Sequence, residues 1–187
     1  MPHKGIDTTL VAAQIVVALQ SIASRNVDPI ENFVVSLCGF RTETDTYNVI
    51  PNSVHMRGTV RTFEPKIQNL TRSRIDALAT ATATAYGAEA EVSHLSGPPA
   101  LVNHKCETDL AAEVALAVCG VAHRDLQPTM GGEDFSEMLL ERPGAYLFVG
   151  NGNSADLHNP FYEFNDEVIP FGCSWFVTMA EQRMPLT

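Results

Sequence analysis

The sequence has no block of Lys or Arg, no Cys-x-x-Cys pair and no long unbroken apolar run. Its 12 basic and 22 acidic residues give a net charge of -10, and a surface of this sign repels phosphate backbones and anionic lipids. We therefore expect neither nucleic acid nor a membrane as a partner. Polar residues interrupt the apolar stretches, which predicts no transmembrane helix, and the start lacks the apolar segment of a signal peptide.

Several catalytic signatures are also missing. The sequence contains no Gly-x-Ser-x-Gly nucleophile motif, no phosphate-binding glycine loop and no dinucleotide fingerprint. The four cysteines are scattered, which predicts reduced structural thiols in a cytoplasmic protein and argues against a cysteine zinc cluster. No two histidines are spaced at i and i+4, so spacing alone reveals no local metal motif.

Hydrophobic periodicity predicts the order α-β-β-α-β in the first half of the chain. The predicted elements are a helix capped by Asp7 that continues to Ile22, strands at 33–40 and 54–63, a helix at 67–86 and a strand at 88–95. This order is one strand short of the β-α-β-β-α-β unit.

The stretch Ser96–Pro99 (Ser-Gly-Pro-Pro) is the best candidate for a domain boundary, because two prolines after a glycine form a stiff connector. We expect one domain at residues 1–97 and a second at 98–187. The elements predicted for the second domain are a helix capped by Thr108 that continues to Val118, a short helix at 135–140, a buried strand at 145–149 and a closing helix at 166–184.

Two loops of the second half are candidate functional segments. His158 follows the predicted buried strand, where a neutral imidazole is a good zinc ligand, although the spacing alone favours a surface histidine that caps a turn. Gly131 and Gly132 precede a helix whose first backbone N–H groups can hold a carboxylate or an oxyanion. Glu133 and Asp134 also suit the helix dipole without any function.

Two polar residues of the first half are candidate substrate contacts. Arg61 lies on the polar face of the predicted strand 54–63, and its guanidinium can bind both oxygens of a carboxylate. Asn48 precedes Val-Ile-Pro in the loop before that strand. A single Arg on a strand is more often only solvated, so the residues themselves leave both interpretations open.

Five ordered blocks together resemble the amidohydrolase branch of the aminoacylase and carboxypeptidase-type zinc metallopeptidases, which includes hippurate hydrolase and the auxin-conjugate hydrolases. The blocks are Pro-His-Lys-Gly-Ile-Asp at 2–7, Asn-Val-Ile-Pro at 48–51 with Gly-Thr-Val-Arg-Thr-Phe at 58–63, Met-Gly-Gly-Glu-Asp-Phe at 130–135, Pro-Gly-Ala at 143–145 and Leu-His-Asn-Pro at 157–160. Any single block would be weak evidence, but the ordered set is specific. Relatives often have Ser where this chain has Gly132.

The resemblance implies an α/β (α+β) fold of two incomplete parts. Residues 1–97 would form a ferredoxin-like βαββαβ lid, or dimerisation, domain that lacks its first strand. Residues 98–187 would form the C-terminal part of an α/β di-zinc peptidase catalytic domain. We expect a homodimer through the lid domain, and an amino-terminal half outside this chain.

The resemblance also assigns roles to residues. His158 corresponds to a ligand of a site that holds two divalent ions, either zinc, manganese or cobalt. Asn48, Arg61, Gly131 and Gly132 correspond to substrate-binding positions. The catalytic base and the oxyanion histidine are expected in the absent half, so no residue here is predicted to be catalytic.

The function implied is metal-dependent cleavage of the amide bond of small N-acyl amino acids such as hippurate. In the family mechanism a glutamate deprotonates a water that bridges the two ions, and the resulting hydroxide attacks the amide carbonyl. Two alternatives remain open: a catalytically inactive dimerisation or binding remnant, and a stand-alone ferredoxin-like ligand-binding domain.

Overall fold

A computed structural model describes residues 1–184 and divides the chain into two compact units, Met1–Ala100 and a second that begins at Leu101. The division lies three residues beyond the boundary that the Ser-Gly-Pro-Pro stretch predicts. Each unit has its own buried residues and is described separately.

The first unit is built on two antiparallel strands and two long helices. Its elements are a short 3-10 turn (Pro2–Lys4), helix α1 (Thr8–Ser21) continued by a π-helical turn (Ile22–Asn26), strands β1 (Phe33–Thr42) and β2 (Val54–Thr62), and helix α2 (Pro65–Ala85). These elements lie within a few residues of their predicted positions.

Local chemistry explains where the helices of this unit begin and end. The Asp7 carboxylate accepts a hydrogen bond of 3.1 Å from the Leu10 backbone N–H, which satisfies one of the free donors at the start of α1. Pro65 occupies the first turn of α2, where its missing N–H costs nothing. Gly87 follows α2 with a φ of 77°, a left-handed conformation that glycine adopts without strain.

The core of the first unit lies between the helices and the β-hairpin. Its buried residues come mainly from the inner faces of α1 and α2, with Val27 between α1 and β1, and are Val11, Ile15, Leu19, Ile22, Val27, Ile67, Ala79 and Ala83. Phe33, Leu37 and Met56 of the two strands pack against the same cluster. The helical stretch Thr8–Asn26 is long and apolar enough to cross a membrane by length and composition alone, so the expectation that no segment reaches this length was wrong. Its inward side chains, among them Val11, Ile15 and Leu19, are buried in the core of this unit.

The predicted strand at 88–95 is not formed. Its side chains alternate between half-buried and exposed from Ala88 to Ser93, as a strand would, but the sheet contains only β1 and β2 within residues 1–184. A strand requires backbone hydrogen bonds to a neighbour, and alternation in the sequence cannot supply that neighbour.

The second unit consists of helices joined by long irregular segments. Its elements are α3 (Lys105–Cys119), α4 (Phe135–Glu141), a 3-10 turn (Asp166–Val168) and α5 (Ile169–Arg183). Helix α3 begins four residues earlier than predicted, because its cap is His104 and the Thr108 hydroxyl donates instead to the His104 carbonyl at 2.8 Å. The predicted strand at 145–149 is not a strand, and Phe148 and Val149 are exposed.

The thiols differ from expectation in their exposure, whereas the closing helix lies close to its predicted bounds. All four cysteines are free, as predicted, but all four are exposed and none packs into a core. Helix α5 has no fully buried residue, although Trp175 donates from Nε1 to the Ala111 carbonyl at 3.0 Å and so connects α5 to α3. The cytoplasmic location stays a prediction.

Candidate functional site

The predicted metal ligand His158 lies in a strained turn. Its φ is 66°, and no other non-glycine residue among residues 1–184 has a positive φ. The Asn159 N–H donates to the Asp156 carbonyl at 3.1 Å, which places His158 at the third position of a β-turn, where glycine or asparagine is usual. Backbone strain of this kind concentrates at functional sites, and here it presents the imidazole to solvent.

Asn159 and Asn151 fix the loop around this turn. The Asn159 side chain accepts from the Phe161 N–H at 2.9 Å and so forms a second turn directly after His158. Asn151 joins the two ends of the loop, because its Nδ2 donates to the Glu163 carbonyl at 2.7 Å and its Oδ1 accepts from the Asn165 N–H at 2.7 Å. The loop therefore has a defined base, and the same segment lines an open hollow of about 660 Å³.

The Gly131–Gly132 turn leads into α4, but the start of that helix is not a free anion site. The Phe135 N–H donates to Glu133 Oε1 at 3.3 Å, and the Ser136 N–H donates to the Glu133 carbonyl at 3.2 Å. These two N–H groups are thus already used within the start of the helix, and the role of Gly131 and Gly132 in substrate binding stays a prediction. Gly131 and Gly132 are themselves exposed.

Glu133 and Tyr146 form a contact that the sequence did not reveal. The Tyr146 hydroxyl donates to Glu133 Oε2 at 3.0 Å. The pKa of Glu133 is lowered below its usual value by hydrogen bonds. The largest effect comes from the Asp134 carboxyl, followed by the Phe135 N–H and the Tyr146 hydroxyl. The hydrogen bond to Glu133, together with burial, raises the pKa of Tyr146 above 10.0. No motif pairs these two positions, which are far apart in sequence.

The segment that carries Tyr146 is held by Asn103 and His104 of the same unit. The Asn103 side chain accepts from the Tyr146 N–H at 2.8 Å and donates to the Tyr146 carbonyl at 2.9 Å, in the manner of a paired strand. His104 accepts at Nδ1 from the Gly144 N–H at 3.2 Å. Side chains thus satisfy backbone groups that a neighbouring strand would satisfy in a sheet.

Asn48 lies in the loop that joins β1 to β2, and this loop is stabilised at its base. Glu43 accepts from the Asn52 backbone N–H at 2.8 Å and from the Asn52 side chain at 2.6 Å. The backbone hydrogen bond from Asn52 is the main cause of a lowered pKa at Glu43. Asn48 is exposed and lines an open hollow of about 340 Å³ with Asp7 and Thr9 at the start of α1.

Arg61 lies at the other end of the hairpin from Asn48. It precedes the last residue of β2 and is paired with Val34, near the start of β1. A strand rises about 3.3 Å per residue, so Arg61 is about 23 Å along β2 from Val54, where the Asn48 loop ends. The structure therefore does not bring these two predicted substrate contacts together within one unit.

The described residues do not form a complete metal site. Across residues 1–184, no three His, Cys, Asp or Glu side chains lie close enough together to hold an ion. His158 has the donor chemistry and the exposure of one imidazole ligand. A site for two divalent ions needs several more ligands, so the residues present do not fit a complete dinuclear centre.

The comparisons with known proteins give the family. Residues 3–182 match the model of Peptidase family M20/M25/M40. This chain belongs to that family. N-acetyl-L-cysteine deacetylase of Bacillus subtilis is 34% identical over 98% of this chain and 44% of the relative, and hippurate hydrolase of Campylobacter jejuni is 32% identical over 96% of this chain and 47% of the relative.

A solved structure supports the same assignment. A Bacillus subtilis dinuclear metal-binding peptidase of the M20 family has a TM-score of 0.75 and 27% identity, over 96% of this chain and 47% of that chain. The chain is thus a mixed helix and sheet member of the family. It spans a little under half the length of the relatives it matches. The resemblance drawn from the five sequence blocks is confirmed at the level of the family.

Proposed function

We propose that the chain forms part of a metal-dependent hydrolase that cleaves the amide bond of N-acyl amino acids. The relatives support this substrate class by name, because N-acetylcysteine, hippurate and indoleacetyl-amino acids are all N-acyl amino acids. The observation in this structure that carries the proposal is the positive φ of His158, a strained exposed imidazole in a chain of a family with a dinuclear metal-binding member.

In this proposal His158 supplies one metal ligand, and the other ligands and the catalytic base come from protein outside the described residues. The metal, zinc or another divalent ion, would polarise the scissile carbonyl and activate a water. Arg61 binds the free carboxylate of the amino acid part through its two-pronged guanidinium. Asn48 contacts the scissile amide, and the exposed Gly131–Gly132 backbone lies against the substrate.

The separation of Asn48 and Arg61 adds a requirement to this proposal. An N-acyl amino acid is about two residues long and spans about 7 Å, much less than the distance between the two ends of β2. We therefore infer that the Asn48 and the Arg61 that hold one substrate molecule come from different copies of the chain. The proposal therefore needs a homodimer, in which each substrate takes Asn48 from one copy and Arg61 from the other.

The test is hydrolysis of hippurate by a fusion of residues 1–187 to the part of Bacillus subtilis N-acetyl-L-cysteine deacetylase that lies outside the matched segment. With zinc, manganese or cobalt, we expect release of glycine by the fusion and none by residues 1–187 alone. A folded, metal-loaded fusion with no activity on hippurate or N-acetylcysteine would overturn the hydrolase proposal. That result would favour the inactive remnant, to which the incomplete ligand set already points.

A further inference from the structure

The outer face of the β-hairpin is positively charged, and its outward positions hold no acidic residue. Met56 packs against the core, so the odd-numbered residues of β2 and their partners on β1 lie on the opposite face. These outward residues are Val34, Ser36, Gly39, Arg41, His55, Arg57, Thr59 and Arg61. Glu43, the first acidic residue after β1, already accepts from Asn52 and Ser53. A cationic face in a chain with a net charge of -10 indicates an anionic ligand.

Arg41, His55 and Arg57 form a cluster near the loop end of this face. Arg41 pairs with His55 across the strands, and Arg57 lies two residues beyond His55 on β2. The two arginines are thus diagonal neighbours, about 7–8 Å apart. All three side chains are exposed, and within residues 1–184 none of them forms an ion pair. Their guanidinium charges repel each other at this separation, and an anion bound between them would replace the repulsion by attraction.

Gly39 leaves a gap in the face beside these side chains. It is paired with Arg57, and a Cβ atom at Gly39 would lie 3.3 Å from the Cβ of Arg57. The strand register shifts just before this point, between Leu37 and Gly39, as in a β-bulge. Glycine inside a strand often marks a close approach of a ligand to the backbone, and bulges are frequent beside functional sites. We call the gap over Gly39, bordered by Arg41, His55 and Arg57, the Gly39 recess.

A contact between Arg57 and His55 sets which groups of the recess can bind a ligand. Arg57 donates from Nε to His55 Nε2 at 3.0 Å, which uses the one acceptor of the neutral imidazole. The ring proton is then on Nδ1, which is a donor. Both terminal amino groups of Arg57 and all N–H groups of Arg41 remain outside this contact. The side chains around the recess therefore present donors only, which suits an anion with several acceptor oxygens.

We propose that the Gly39 recess binds the phosphate group of a small molecule. One arginine satisfies the two coplanar oxygens of a carboxylate, whereas a tetrahedral phosphate can accept from Arg41, His55 and Arg57 at once. The net charge of -10 disfavours the long phosphate backbone of a nucleic acid, so the ligand is inorganic phosphate or a small phosphate monoester.

The recess is separate from the position that the proposed function assigns to the substrate carboxylate. Arg61 lies four residues beyond Arg57 on β2, which is about 13 Å along the strand. Ser36 and Thr59, a neutral pair, lie between them on the same face. A phosphate in the recess would therefore occupy a second anion site, and its binding does not depend on hydrolysis.

The experiment is a titration of the full chain with inorganic phosphate, followed by the NMR signals of the Arg57 Nε–H group and the His55 ring. Sodium chloride keeps the ionic strength constant, because exposed charges also respond to screening. We expect saturable shifts with half-saturation on the order of 1 mM. A parallel titration with glycerol 3-phosphate distinguishes the two sources of the group. Tighter binding of this monoester would identify the ligand as a phosphorylated metabolite, and weaker or equal binding as inorganic phosphate.

Three variants test the recess itself, with the His55 ring as the signal. Arg57→Lys keeps the charge but loses the two-pronged group, and should weaken phosphate binding about tenfold. Gly39→Ala should also weaken it, because the added methyl group fills the recess. Arg25→Ala is the control, since Arg25 is exposed but lies outside the hairpin, and should bind phosphate as the wild type does.

Three outcomes would overturn the proposal. The first is that chloride alone produces the same shifts as phosphate, which would mean screening without a site. The second is that succinate, a dianion with planar carboxylates, binds as tightly as phosphate. The third is that Arg57→Lys and Gly39→Ala bind phosphate as tightly as Arg25→Ala. None of these measurements involves hydrolysis, so their result is independent of the proposed function.

Discussion

The hydroxyl of Tyr146 donates a hydrogen bond of 3.0 Å to the carboxylate of Glu133. The same carboxylate accepts from the Phe135 N–H, and the Tyr146 backbone is paired with the Asn103 side chain. Through these contacts the residues directly after the Gly131–Gly132 turn are fixed to another part of the second unit. Glu133 and Tyr146 are therefore the residues that position this turn.

The first prediction concerns the titration of Tyr146. Because its hydrogen bond to Glu133 is the largest cause of its raised pKa, Glu133→Gln should lower the pKa of Tyr146 toward 10.0. The measurement is the absorbance titration of tyrosinate, with Tyr146→Phe to identify the signal among the four tyrosines. Glu137→Gln, on the exposed side of the same helix, is the control and should change nothing. If the pKa of Tyr146 is the same in Glu133→Gln as in the wild type, the hydrogen bond to Glu133 is not its cause.

The second prediction is the pH range in which this pair stabilises the second unit. The lowered pKa of Glu133 gives a contribution that is present above 4.5 and lost as the pH falls through the lowered value. The raised pKa of Tyr146 gives a second contribution to stability, which is present below pH 10.0 and lost as the pH rises through the raised pKa. The stability difference between wild type and Tyr146→Phe should thus be constant from about pH 5 to 9 and shrink on either side. A difference that persists at the extremes would show that packing dominates.

The third prediction follows from the backbone of His158. A non-glycine residue in the left-handed region costs about 1 kcal/mol, so His158→Gly should leave stability unchanged or raise it by up to about that amount. His123 is also an exposed loop histidine but has no positive φ, and His123→Gly should lower stability. Urea denaturation measures both. Equal destabilisation by the two changes would argue against strain at His158.

The fourth prediction tests the close approach of the two strands. A Cβ atom at Gly58 would lie 2.5 Å from the Ser36 carbonyl oxygen, so Gly58→Ala must displace backbone. We expect a loss of about 1–3 kcal/mol in the free energy of unfolding, the usual range for overpacking. Gly5→Ala is the matched control, since a Cβ there meets no atom within 4 Å. Thermal unfolding that shows no difference between the two variants would mean that β1 and β2 are spaced differently.

The fifth prediction uses the separation of Asn48 and Arg61. In the fusion enzyme, Asn48→Ala and Arg61→Ala should each abolish hippurate hydrolysis. Random mixing of the two variants makes half of the dimers mixed, and each mixed dimer has one site with both residues intact. The mixture should recover about a quarter of the wild-type rate if the sites are shared across a two-fold axis. No recovery would place both residues of one site in the same copy.

The helices and the hairpin were predictable because their signals are local. Asp7, Pro65 and Gly87 mark helix ends through groups within a few residues, and the apolar faces of α1 and α2 follow the helical period. The two predicted strands that do not form lack a local signal of this kind. The stretches 88–95 and 145–149 have suitable side chains, but whether a strand forms depends on a neighbouring backbone that the sequence of the stretch does not contain.

The candidate site was predictable mainly through the family blocks. The spacing around His158 favoured a surface histidine, and the positive φ that distinguishes this residue depends on the whole turn from Asp156 to Asn159. The contact between Glu133 and Tyr146 joins two distant segments, so no local pattern could indicate it. The position of Arg61 relative to Asn48 followed only when the hairpin register was known.

In the proposed function, His158 is the metal ligand that this chain contributes to an M20 hydrolase. The most direct measurement is the metal content and hippurate activity of the fusion enzyme carrying His158→Ala, beside the control His123→Ala. Loss of a residue that only orients a ligand costs about 10–100-fold, so the loss for His158→Ala should exceed a hundredfold, with less metal retained after dialysis. His123→Ala should match wild type. Wild-type metal content and activity in His158→Ala would contradict the account.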